Sequence, residues 1–205
     1  MVDMAVTNIA AVQQITSSSD EAELILAARQ GDAAAFNQLV LSYQERIYNL
    51  SARILGDPDL AEDVTQNTFL AAYLNLARFR NGSFRSWLYR IATNACYDVH
   101  RQHKRHPVLS IDNSDLAEEK LSPVDDFSSS TAMPEEEIEA HELARLVQAA
   151  LNQLDIDHRS VVILIDQQEF DYREAAEILR IPVGTVKSRL ARARLRLRRL
   201  IINEL

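Results

Sequence analysis

Apolar residues recur along most of this chain at intervals of three and four, the period of an amphipathic helix. The clearest run is Phe36, Leu39, Val40, Tyr43, Ile47, Leu50 and Ile54, with Asp32 placed to cap its start and Gly56 to stop it. Asp57 and Pro58 then restart a helix. The aspartate offers an N-cap acceptor, and proline suits the first helical position, where no backbone N–H is required. This helix is expected to run to about residue 77. Ahead of the long run, Asp20 and Glu23 read as a capping box for a short helix ending at Gly31. Asn81-Gly82 predicts a turn, and Ser83 opens a helix with Phe84, Trp87, Leu88, Ile91, Ala95 and Val99 on one side.

The period disappears from about Lys104 to Met133, where Ser, Asp and Glu dominate and Pro107, Pro123 and Pro134 bound or interrupt the chain. A structureless stretch this long inside a compact domain would be unusual, so it reads as an interdomain linker. Helices are expected again at about 135–153 and 158–168. Asp171 and Glu174 form a capping box for a short helix ending near Arg180. A turn through Ile181-Pro182-Val183-Gly184 leads to a final helix reaching about Ile202. Residues 1–19 lack an amphipathic period and end in three serines, the pattern of a flexible tail. No stretch alternates as a strand would. The fold class is therefore all-α, with two small helical domains at 20–104 and 134–205 joined by an acidic linker, 105–133.

Composition narrows this further. Only four glycines in 205 residues, with long stretches of Ala, Leu, Arg and Glu, favour helices. No apolar run approaches the ~20 residues of a membrane span, and the N-terminus lacks the basic and apolar segments of a secretory signal. A single cysteine, Cys96, excludes an internal disulfide. A cytoplasmic protein without membrane insertion is expected.

The net charge of −8 hides a segregation. Asp112 to Glu142 holds eleven acids and one base, Lys120, so that stretch carries −10 and the remainder of the chain +2. Arg180 to Arg199 holds eight bases and no acid. Two nucleic-acid-facing domains on an acidic connector fit this asymmetry.

Residues 171–199 have the plan of a helix-turn-helix: a short helix packing through Ala175, Ile178 and Leu179, a tight turn, then a longer helix. Val186, Leu190, Ala193 and Leu197 would face the core, while Lys187, Ser188, Ala191, Arg192 and Arg194 fall opposite. Such a face can enter a major groove, where Arg or Lys meets guanine O6 and N7. In the N-terminal half, Asp59, Glu62, Asp63, Gln66 and Asn67 fall on one arc of the third helix, a pattern equally that of a solvated face. Farther on, Arg78, Phe79, Arg80, Arg85, Arg90, Asn94 and Arg101 lie among Phe84, Trp87, Tyr89 and Tyr97. Bases interleaved with aromatics suit a single strand, whose phosphates take the cations and whose unstacked bases take flat rings. Phe84 and Trp87 also lie on the apolar stripe, where the core would claim them.

The runs LAEDVTQNTFLAAY (60–73), FRNGSFRSWLYRIATNACYDVHR (79–101) and IPVGTVKSRLARAR (181–194) resemble extracytoplasmic-function sigma factors of bacterial RNA polymerase, in order, spacing and intervening linker. The resemblance implies a region 2 bundle followed by a region 4 helix-turn-helix, and a subunit that binds core polymerase and directs promoter recognition, opening and initiation. It implies polymerase docking through Asp59, Glu62, Asp63, Gln66 and Asn67, the last standing where the family often has an acid. It implies −10 element contacts from Arg78, Phe79, Arg80, Arg85, Arg90 and Asn94, and −35 contacts from Thr185, Lys187, Ser188, Arg189 and Arg192. Its implied partners are core RNA polymerase, promoter DNA and an anti-sigma factor.

Two other classes compete. A stand-alone helix-turn-helix regulator would share the C-terminal half but needs a sensing domain, and the N-terminal half shows neither pocket nor α/β pattern. An enzyme needs a phosphate loop, metal spacing or nucleophile motif, and none is present. His100, His103 and His106 recur every third residue where a helix meets the linker, a placement that does not favour metal. No cofactor and no catalytic residue is expected.

Overall fold

The computed structural model describes residues 18–80, 82–105 and 135–204. The expected tail up to residue 17, Asn81, the segment 106–134 and the side chains of 135–141 lie outside the described residues.

Local signals explain most element boundaries. Helix α1 (Ser18–Arg29) starts two residues before Asp20. Asp20 therefore sits inside the first turn, where the amide dipoles favour an acid, and not at the N-cap position expected of it. Asp32 caps α2 (Ala33–Leu55) by accepting from the Ala34 and Ala35 amides at 2.8 and 3.1 Å. Gly56 ends α2 in the left-handed region at φ 73°, donating its N–H to the Ala52 carbonyl. Asp57 then caps α3 (Pro58–Asn75) through the Leu60 amide at 3.1 Å. A 3₁₀ turn (Leu76–Arg78) tightens the end of α3, and Ser83 receives the Ser86 amide at the start of α4 (Phe84–Arg105).

The second half holds α5 (Glu135–Asn152) and α6 (Ile156–Val162). The latter starts two residues before the expected position and runs into a wide π-helical turn, Ile163–Gln167, in which Gln168 N–H reaches back to Ile163 O at 2.9 Å. The expected capping box is present: Asp171 accepts from Arg173 and Glu174, and Glu174 accepts from the Asp171 amide. It opens α7 (Tyr172–Leu179), which ends on Arg180 at φ 54° before α8 (Val183–Glu204).

Helices α1–α4 enclose Leu39, Tyr43, Ile47, Leu50 and Ile54 against Val64, Ala72, Phe84, Leu88 and Ala92, all buried. Helices α5–α8 enclose Leu151, Val161, Leu164, Ile178, Val186, Leu190 and Ala193. No described residue is in a strand, and no described helix is long and apolar enough to cross a membrane.

The two halves also touch, joining their apolar interiors into one cluster. Arg159 of α6 donates to Ile54 O at the end of α2, at 2.6 Å, as well as to Asn152 O and Leu154 O. Gln148 of α5 exchanges hydrogen bonds with Arg53 at 3.3 and 3.4 Å. Tyr89 of α4 donates to Gln168 Oε1 at 2.6 Å and meets Phe170 edge-to-face at 4.8 Å. Tyr89 is fully buried there, so it leaves the group of aromatics that sequence placed beside single-stranded nucleic acid.

Candidate nucleic-acid interface

Helix α3 buries Ala61, Val64 and Thr68 and turns Asp59, Glu62, Asp63, Gln66 and Asn67 outward, all exposed. Gln66 donates to Glu62 across one turn at 3.3 Å, which orders the stripe without neutralising it. The stripe continues beyond its acids. Leu70 and Leu74, one and two turns past Gln66, are 58% and 70% exposed, which their helical neighbours on the core side are not. Sequence reading passed over both. Their signal was available: they fall between Val64, Thr68 and Ala72, out of step with the core.

The second surface lies where the 3₁₀ turn meets α4. Trp87 is half-buried, with its ring 5.2 Å from Phe79 and 5.6 Å from Phe84. Phe84 is core and Phe79 backs the indole, so Trp87 is the aromatic of this trio that lines an open cleft. That cleft, of about 440 Å³, brings Trp87 together with Arg78, Asn94, Asn75, Ile91 and Asp98. Arg78 and Asn94 are thus joined in space although sixteen positions apart. Arg80 is exposed nearby in sequence, while Arg90 is half-buried with its Nε unpartnered. A ring wall, a cation and an amide form a chemically complete receptor for an unstacked base and its phosphate.

Arg85 is placed differently. It leaves the cleft side and reaches the C-terminal half, where Nη2 donates to Gln168 O and the guanidinium lies 4.1 Å from the Phe170 ring centroid. Tyr97 also turns towards that half. Burial, helped by the charge of Asp157, pushes its hydroxyl up to about 12.

The third surface is α8. Val186, Leu190 and Ala193 are buried, and Lys187, Ser188, Ala191, Arg192 and Arg194 are exposed, as the period predicted. Lys187 lies 5.5 Å from the ring of Tyr172 on α7, which steadies the ammonium beside the helix N-terminus. Ser188 is held by Thr185 O at 3.0 Å. Two arginines have acid partners within the domain. Arg189 pairs with Asp157 at 2.8 Å and keeps a quarter of its side chain exposed, and Arg194 is gripped by both oxygens of Asp166. The Asp166 hydrogen bonds raise the Arg194 pKa further. Lys187 and Arg192 remain as exposed cations on the outward face.

Residues 39–106 match Sigma-70 region 2, and residues 144–197 match Sigma-70 region 4. The ECF RNA polymerase sigma factor SigW of Bacillus subtilis is 37% identical over 83% of this chain and 91% of its own length. The chain belongs to the ECF RNA polymerase sigma factors.

This sigma factor directs promoter-specific initiation of transcription. The region 2 match removes the stand-alone regulator from contention, because the N-terminal half is itself a sigma domain. Its fold is similar to that of CnrH in complex with the cytosolic domain of CnrY (TM-score 0.64, 29% identity, covering 91% of this chain and 99% of that one). It is also similar to the sigma factor RpoE of Bartonella quintana in complex with the anti-sigma factor NepR (TM-score 0.62, 28% identity, 81% and 96%).

Proposed function

We propose that this sigma factor divides promoter delivery among three faces. The α3 stripe, Asp59, Glu62, Asp63, Gln66 and Asn67 with Leu70 and Leu74 beyond it, docks on core polymerase. The cleft at Arg78, Trp87 and Asn94, with Arg80, Arg85 and Arg90 around it and Phe79 behind, holds the −10 element as a single strand. The outward side of α8, through Thr185, Lys187, Ser188, Arg189 and Arg192, reads the −35 element. The protein acts in the cytoplasm as a specificity subunit with no chemistry of its own, and an anti-sigma factor of the kind bound by its structural relatives holds it in reserve. Each DNA contact is small, and the polymerase makes the second effectively intramolecular once the first has formed.

The observation that carries the −10 assignment is the union of Arg78, Trp87 and Asn94 around one open cleft. The test is run-off transcription with core polymerase on duplex promoters and on the same promoters with a pre-melted −10 bubble. Asn94→Ala is exposed and leaves the core intact. It is expected to lower open-complex formation on duplex DNA and to recover on the bubble, where unstacking is already done. Equal loss on both templates would assign Asn94 to docking or folding instead.

A further inference from the structure

Arg85 carries two incompatible claims. As a −10 contact it should present its guanidinium to phosphate, yet here that group is taken by the other domain. Nη2 donates to Gln168 O, and the plane lies over Phe170 at 4.1 Å and near Tyr89 at 5.5 Å. The same corner is closed by Tyr89, which donates to Gln168 Oε1. Arg85 Nε is meanwhile buried with no acceptor. A fork that leaves one donor unmatched has a better alternative in a phosphate, which accepts from two nitrogens at once. The −35 face is not so occupied: Lys187 and Arg192 stay exposed.

We propose that Gln168 and Phe170 form an intramolecular latch on Arg85, which holds the free sigma factor closed and withholds that arginine from the −10 strand until the two domains part. The inference rests on the −10 role proposed for Arg85. Parting is required by the promoter itself. The −10 and −35 elements lie some 25 base pairs apart, about 85 Å at 3.4 Å per pair, whereas here the domains share a joint. The 29 residues 106–134 have a full reach of about 100 Å at 3.3–3.6 Å per residue, enough to permit it. The order of events follows: region 4 engages first with its open face, and region 2 gains its full set of cations only after release.

A reversible lock tests this on the full chain. A Cβ on Gly56 would lie 2.9 Å from Asn152 Cγ, so Gly56→Cys with Asn152→Cys brings two thiols within disulfide reach across the joint, away from all three proposed faces. The complementary double variant, Gln168→Ala with Phe170→Leu, removes the ring and the amide while keeping apolar volume in the core. The probe is a short labelled single-stranded oligodeoxynucleotide of randomised sequence, and domain separation is read in parallel from the distance between two spin labels on α3 and α8. If nine-tenths of the free protein is closed, the latch-breaking variant binds about tenfold more tightly, since apparent affinity scales with the open fraction. The oxidised crosslink is expected to bind more weakly than its own reduced form. Equal probe affinity for oxidised and reduced protein, with the labels showing closure and separation respectively, would overturn the latch, and that comparison stands even if the Phe170 variant fails to fold. Adding Arg85→Ala to the reduced, open protein isolates the underlying assignment: unchanged affinity there would remove Arg85 from the −10 face, whatever the labels report.

Discussion

Arg159 Nη1 donates to the carbonyl of Ile54, 2.6 Å away and 105 positions earlier in the chain. The last carbonyls of a helix have no partner within it, and burial denies them water. Arg159 supplies partners to the end of α2 and, through Nη2, to Asn152 O and Leu154 O at the end of α5. One buried guanidinium thus finishes helices in both domains. Burial lowers its pKa, with Asp155 opposing the shift.

Truncating Arg159 to Ala leaves those carbonyls buried and unpaired. The expected cost is about 3 kcal/mol, from charged hydrogen bonds lost and acceptors stranded. Urea unfolding followed by circular dichroism measures it. Lys in its place should recover only part, because an ammonium cannot fork to three acceptors spread over two helix ends. Full recovery by Lys would show that charge alone matters here.

Polymerase docking is checked by reversing the middle of the α3 stripe. Asp63→Arg with Gln66→Arg changes exposed positions, whose substitutions usually shift stability by ~0.5 kcal/mol or less. Helicity should survive while co-purification with core polymerase is lost. Retained co-purification would move the docking face elsewhere.

Lys187 and Arg192 separate base reading from charge. Both are exposed, so either can be cut to Ala without opening a cavity. A side chain that grips a base edge should cost about 1–3 kcal/mol at its preferred base and flatten preference at that position alone. A phosphate contact should weaken all templates alike and reduce the salt slope by about one unit. Lys187 is the expected reader, standing nearer the helix N-terminus with Tyr172 behind it. Transcription from promoters carrying every single −35 substitution distinguishes the two, and uniform loss for both variants would leave α8 a phosphate-binding helix.

Cys96 is wholly buried, and burial pushes its thiol up to about 12, with Ser51 opposing. Thiolate is the reactive form, so at pH 8 the folded protein should resist alkylation. Labelling is expected to become fast only in denaturant. Rapid labelling of native protein would mean that α4 opens far more often than its packing implies.

The helices and their inward faces were legible in sequence because period and caps are local. Asp32, Asp57 and the Asp171–Glu174 box each act within three residues. So were the outward faces of α3 and α8, which need only the helical period. The joint between the domains was not legible. Tyr89 looks like any aromatic among bases until Gln168 and Phe170, eighty positions away, cover it. Arg189 likewise counts as one of eight free bases until Asp157 is found beside it. Contacts between distant segments leave no period to read. The wide turn at 163–167 also left no signal, since its residues read equally well as the end of an ordinary helix.

That turn sets a rotational phase. Five residues close the ring from Ile163 O to Gln168 N–H where an α-helix would use four, so everything after it is advanced by one residue's worth of angle, about 100°. Asp166 inside the turn faces Arg194, while Gln168 and Phe170 just past it face Arg85 and Tyr89. Deleting a single residue from this stretch would restore a regular helix and swing those groups away together. The strength with which α8 is braced and the grip on region 2 are geared through the same small offset.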